Sequence, residues 1–263
     1  MVSTAVERFF HTGEVAINYA EWPVPAAPSR PPAVRPESAL AGRGPSAALG
    51  ARDGEKAPVA PPLLLMHGLS GRWQNWEAVV PAMTQRWHVY AIDLRGHGRS
   101  GHSVGVYDRA AYSKDTASFI EEVIGGPAHL IGHSLSGLTV LGVAADRADL
   151  VRAFVMEDPP LFVRDRWEST PEAARFAVMR ELAESGLSVE QIAARISEQM
   201  PQATPEACRN RAECIFQMDH RVWDGVFGRR YAGEADSVPV LKGATPPALL
   251  LQAEPALCGR STL

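Results

Sequence analysis

The residues best suited to chemistry lie in Ala128-His129-Leu130-Ile131-Gly132-His133-Ser134-Leu135-Ser136-Gly137, which runs directly into a helical pattern from Leu138 to Ala145. A short apolar run that ends in small residues around one serine, with a helical period following at once, is the sequence form of a strand, a sharp turn and a helix. Ser134 stands at the apex. A serine held there projects clear of the sheet, and the next backbone N–H, that of Leu135, lies beside any carbonyl it attacks. The chemistry implied is nucleophilic acyl transfer through a covalent serine intermediate. The spacing departs from Gly-x-Ser-x-Gly at one place. Ser136 occupies the position of the second glycine, and serine is small enough to be tolerated there.

A second serine fits that spacing to the letter, in Gly101-His102-Ser103-Val104-Gly105. No apolar run precedes it and no helical period follows directly, so the strand–turn–helix context is missing. Ser103 is therefore set aside. A strand at Leu63-Leu64-Leu65-Met66 ends in His67-Gly68-Leu69-Ser70-Gly71, a glycine-rich loop whose backbone N–H groups can face an anion or a developing oxyanion. His67 reads as a residue that holds this loop. The strand at His88–Ile92 leads into Asp93-Leu94-Arg95-Gly96-His97-Gly98-Arg99-Ser100. There Asp93 and Arg95 read as a loop-organising pair, and His97 as structural.

The elements that position these groups alternate. Val6 to Trp22, with a turn at Thr12-Gly13, reads as an opening strand pair. Trp73, Trp76, Val79, Val80 and Met83 mark the apolar face of a helix ending near Trp87, and Tyr112–Ile124 forms a second amphipathic helix. Ala153-Phe154-Val155-Met156 is a further buried strand, delivering Glu157-Asp158 to the same edge, and Pro246–Ala253 is the last. Strands alternating with helices require a mostly parallel sheet with helices on both faces, and ligands bind at the carboxyl ends of such strands. The chain divides accordingly into a core at 1–168, a helical insertion at 169–236, and a last core strand with an irregular tail at 237–263. In the insertion, Thr170-Pro171-Glu172, Ser188-x-x-Gln191 and Thr204-Pro205-Glu206 are helix starts. Residues 23–62 contain ten prolines and no period, and read as a flexible insertion.

Bulk properties narrow the partners. A length of 263 residues with 46% hydrophobic and 21% charged residues suits a globular chain with a substantial core. The net charge of −4 gives no dense basic patch, which argues against nucleic acid as a partner. No apolar run reaches membrane-spanning length, and Met1–Phe10 lacks the pattern of a signal peptide. Cys208, Cys214 and Cys258 are odd in number and scattered. They read as reduced thiols in a cytoplasmic protein, with neither a disulfide framework nor a metal site.

Taken together, Leu65-Met66-His67-Gly68-Leu69-Ser70-Gly71, Asp93-Leu94-Arg95-Gly96-His97-Gly98-Arg99-Ser100 and Gly132-His133-Ser134-Leu135-Ser136-Gly137 resemble the α/β-hydrolase superfamily, in its capped, esterase- and lipase-like branch. The motifs stand in the family's order, and the resemblance covers about Phe9 to Glu254 apart from the proline-rich insertion. It implies Ser134 as nucleophile, the N–H groups of Leu69 and Leu135 as the oxyanion hole, and His67, Gly68 and His133 around the pocket. Glu157 matches one of the family's two acid positions, with Asp158 as its neighbour, and Glu254 lies close to the other. The family's catalytic histidine follows a further strand and helix, whereas this chain ends nine residues after Glu254. His220, the one histidine after Ser134, lies in the helical insertion. The expectation is a serine hydrolase of a small ester or lactone, with no cofactor, whose final strand, closing helix and base are missing. Truncation and a non-catalytic ligand-binding protein are the two explanations. Epoxide hydrolase or dehalogenase chemistry needs a carboxylate at the elbow, and Ser134 argues against it.

Overall fold

The computed structural model describes residues 4–23, 60–103, 105–161, 171–228 and 237–253. Residues 24–59 of the proline-rich stretch, Thr170 and Glu254 lie outside the described residues, whereas Pro62, read as the end of that flexible stretch, is paired in a strand.

Antiparallel strands β1 (Val6–His11) and β2 (Ala16–Trp22) turn through Thr12-Gly13 and open a seven-stranded sheet. The remaining strands are β3 (Pro62–Met66), β4 (His88–Ile92), β5 (Ala128–His133), β6 (Val151–Glu157) and β7 (Ala248–Leu251). The order across the sheet is β1-β2-β4-β3-β5-β6-β7, and β3 to β7 run parallel. Side chains alternate between faces along a strand, so a strand buried on both faces must be apolar throughout. In β3, Leu64 and Met66 enter the larger core, whereas Leu63 and Leu65 join Trp22, Trp73 and Val80 on the other face.

The larger core is closed by α2 (Arg109–Phe119) and α3 (Leu135–Asp146). Asp108 accepts the Ala111 N–H at 2.8 Å and so starts α2 three residues before the expected Tyr112. A π turn at Ile120–Ile124 then ends on Gly125 at φ 77°. Residues Leu135 to Ala144 of α3 are all buried, the mark of a helix enclosed on every side. Burial of side chains such as Leu138, Val140 and Leu141, at about 1.5–3 kcal/mol each, anchors the helix that begins at Ser134.

The long helix expected between Trp73 and Trp87 is instead a 3-10 turn, Trp73–Trp76, and one helical turn, α1 (Val80–Met83). Pro81 cannot donate to a helical ladder, and the Trp73 N–H is committed to Asp93, so the apolar spacing is met without a continuous helix. Between β6 and β7 lie α4 (Pro171–Glu184), α5 (Val189–Gln199), α6 (Pro205–Gln217), α7 (Val222–Phe227) and α8 (Ser237–Gly243). The capping box of Ser188 with Gln191 and the Thr204 cap on Ala207 N–H form as expected. Strand β7 lies at the sheet edge, with Leu249, Leu250 and Leu251 all exposed.

Candidate active site

Ser134 sits between the end of β5 and the start of α3 at φ 50°, ψ −112°. Such a backbone costs a non-glycine residue about 1–3 kcal/mol and persists only where its surroundings over-determine it. Here the Ser134 N–H donates to Glu157 O at 2.7 Å, and α3 is buried behind it. Ser70 and Asp158, at φ 54° and 46°, share its positive φ. The three lie just past β3, β5 and β6, which puts the strain of these loops at one edge of the sheet. Gly132 is required by close approach, since a Cβ there would stand 2.2 Å from Ser136 O.

The loop after β3 is tied to this turn. Ser136 Oγ donates to His67 O at 2.5 Å, from a fully buried position. The serine that departs from the motif thus joins the first turn of α3 to the loop carrying Leu69. Gly68 is also forced, because a Cβ would meet His133 Nδ1 at 2.7 Å and Ser134 Cβ at 3.1 Å. The N–H groups of Leu69 and Leu135 have no protein acceptor among the described residues, as an oxyanion pair requires.

His67 is a loop holder, as expected. Its Nε2 accepts the Leu94 N–H at 3.0 Å, so the ring proton is on Nδ1, which donates to Gly68 O at 2.7 Å. Burial holds its pKa down to about 4. Buried His97 donates from Nδ1 to Arg95 O at 3.1 Å, and burial holds it down to about 3. Both rings are neutral at pH 7.

The expected Asp93–Arg95 pair does not form. Asp93 accepts from Trp73 N at 2.6 Å, Arg99 N at 2.9 Å and Asn18 Nδ2 at 2.8 Å. Arg95 instead binds Asp115 through two hydrogen bonds, at 2.5 and 2.6 Å, and Glu14 at 3.2 Å. Asp93 does organise the loop, but through backbone donors that spacing does not reveal. Ser103 is buried in an irregular stretch, where its Oγ accepts the Gly105 N–H at 2.9 Å.

A cavity of about 320 Å³ opens at this edge, lined by the β3 loop from His67 to Gly71, Trp76, His133, Glu157 and Arg211 of α6. That volume suits a small molecule. Glu157 therefore reaches the cavity, and it pairs in strand register with His133. Asp158 is exposed and absent from the lining, with its N–H bound to Leu251 O at 2.7 Å. His220 is exposed at the turn before α7. Among the described residues, no imidazole hydrogen-bonds Ser134 Oγ.

The helices between β6 and β7 are fixed over these loops. Arg72 Nη2 donates to Asn210 at 2.6 Å and Glu213 at 2.7 Å, and the Asp219 N–H donates to Gly96 O at 2.9 Å. Tyr107 OH donates to Asp219 at 2.7 Å. Arg72 and Arg211 escape a motif search, although Arg211 had a signal. It lies three residues after Cys208 and four before Ile215, so an arginine occupies the buried stripe of α6.

A mostly parallel sheet carrying a strained serine elbow beside a glycine loop is the arrangement of the alpha/beta hydrolase fold. The chain belongs to the alpha/beta hydrolase fold family, which it matches over residues 61–236. It is 28% identical over 200 residues to 2-(acetamidomethylene)succinate hydrolase of Mesorhizobium japonicum, across 74% of this chain and 70% of that one. It is also 34% identical over 100 residues to the sn-1-specific diacylglycerol lipase ABHD11 of Mus musculus, across 37% of this chain and 32% of the lipase. The crystal structure of E-2-(acetamidomethylene)succinate hydrolase superposes with a TM-score of 0.65 at 21% identity, covering 98% of this chain and 87% of that one.

Proposed function

We propose that the chain is a serine hydrolase that cleaves a small carboxylic ester or lactone through an acyl-enzyme. Ser134 attacks, the N–H groups of Leu69 and Leu135 hold the oxyanion, and Glu157 is the acid. Helices α4–α7 act as a cap over the strand ends. The observation that carries this reading is Ser134 on a strained elbow, with Ser136 fastening the Leu69 loop beside it. The names of the two relatives, a hydrolase and a lipase, agree with it. The three scattered cysteines suit a reducing, cytoplasmic setting.

Among the described residues no imidazole hydrogen-bonds Ser134 Oγ, so the turnover expected of them rests on the oxyanion hole and binding. These supply roughly 10³–10⁴-fold over water in serine hydrolases that lack a triad member. Slow hydrolysis of p-nitrophenyl acetate is expected, with Ser134→Ala slowing it further and leaving only the part that the oxyanion hole and binding supply. An unchanged rate in that variant would overturn the reading. The missing imidazole contact also favours a second reading, a hydrolase-fold protein that binds a small ligand without turning it over.

A further inference from the structure

The cavity lined by Leu69, His133 and Glu157, which Ser134 adjoins through His133 without itself lining it, contains a cation that the serine chemistry does not use. Arg211 projects from α6 to line it, opposite the β3 loop. Its one side-chain hydrogen bond among the described residues runs from Nη2 to Met179 Sδ, at 3.2 Å. Arg180 with Glu184, Arg209 with Glu213 and Arg221 with Asp219 have carboxylate partners, whereas exposed Arg175, like Arg211, has none within 4.0 Å among the described residues. Among the described residues no carboxylate lies within 4.0 Å of Arg211, although Glu157 lines the same cavity.

Holding an unpaired guanidinium in a half-buried place is costly, because its desolvation is not offset by a counter-charge. A methionine or leucine would pack there at less cost if the site needed only apolar contact. Burial draws the Arg211 pKa below the ordinary arginine value, and the charge of Arg175 draws it the same way. Arginine nevertheless remains protonated in proteins, so a fixed positive charge faces the cavity. A second donor lies nearby. Trp76 lines the cavity too, and its buried indole Nε1–H has no acceptor among the described residues. A planar fork of donors whose one acceptor among the described residues is a thioether matches the two oxygens of a carboxylate.

We propose that Arg211 selects a substrate bearing a carboxylate, which it binds on the cap side of the cavity while the neutral acyl group faces Ser134 and Leu69. The acyl half of this assignment rests on the hydrolase reading above. The carboxylate half does not, because it concerns binding alone. The acidic wall formed by Glu157 lies with the acyl end, so a small monoanion fits better than a compact dianion.

Two esters that differ by one charge test it. Titration calorimetry on the full chain, with Ser134→Ala present to prevent turnover, compares monomethyl succinate with dimethyl succinate. The expected result is at least tenfold tighter binding of the monoester. Arg211→Gln should remove that preference while dimethyl succinate binds as before, and Arg211→Lys should retain part of it. Equal affinity for the two esters, failure to bind either, or a preference surviving in Arg211→Gln would overturn the proposal. If Arg211→Gln loses both ligands through misfolding, Arg211→Lys decides: a retained preference supports the carboxylate site and a lost one overturns it. Failure of the hydrolase reading would show separately, as turnover of p-nitrophenyl acetate unaffected by Ser134→Ala.

Discussion

Replacing Asp93 with alanine is expected to cost about 3–5 kcal/mol of stability, a large share of the roughly 5–15 kcal/mol that holds a domain folded. The side chain is 1% exposed and accepts from two backbone N–H groups, of Trp73 and Arg99, and from the Asn18 amide. Alanine would leave the Trp73 N–H without an acceptor in a buried place and take the acceptor from the part-buried Arg99 N–H, while the Asn18 amide keeps Glu7 at 2.9 Å. Each orphaned donor costs about 1–3 kcal/mol, with some recovery as the loop relaxes. The damage would reach the site as well, since Trp73 begins the 3-10 turn that ends at cavity-lining Trp76. Asp93→Asn keeps one acceptor oxygen and should lose less. Guanidinium denaturation followed by tryptophan fluorescence measures both, and a midpoint for Asp93→Ala equal to that of the unaltered chain would contradict this role.

The buried histidines predict a steep dependence of stability on pH. His67 and His97 have ring centroids 5.2 Å apart, with pKa values held down to about 4 and about 3, mainly by burial. In the unfolded chain an imidazole titrates near 6.5. As pH falls below about 6.5, the unfolded chain therefore takes up two protons that the folded chain refuses, and stability decreases until about pH 4. At about 1.4 kcal/mol per pH unit per histidine, the loss reaches several kcal/mol. Above pH 7 these two groups contribute no slope. Burial raises the carboxyls of Asp93 and Asp115, which act in the opposite sense at the acid end of the window. Comparison with His97→Gln isolates the histidine contribution. Denaturation midpoints between pH 5 and 7 should show a slope shallower by about one proton in that variant. An identical slope would mean that His97 takes up protons freely in the folded chain.

What was legible in the sequence was local. The elbow at Ser134 could be read because strand, turn and helix follow one another without a gap, and the starts of α5 and α6 because each cap lies within three residues of its donor. Long-range partners were not legible. Asp93 and Arg95 are two residues apart yet have different partners, since the carboxylate that matches Arg95 is brought in by α2 and the donors that match Asp93 come from β2 and two loops. The apolar spacing from Trp73 to Met83 suggested one helix, and Pro81 was the contrary signal. Ser136 looked like a tolerated imperfection. Its hydroxyl can reach His67 O only because the sheet places β3 beside β5. Arg211 belongs to the same class, a residue whose meaning depends on the loop opposite it.

Ser134 as the nucleophile is tested most directly with a fluorophosphonate probe, which bonds to a serine that the folded site makes nucleophilic, slowly where no imidazole assists it. Incubation of the folded chain followed by peptide mass spectrometry should place the label on Ser134, with none on Ser103 and none after denaturation. A label on another serine, or no label on the folded chain, would contradict the assignment, and the second outcome would leave a hydrolase fold that binds its ligand without attacking it.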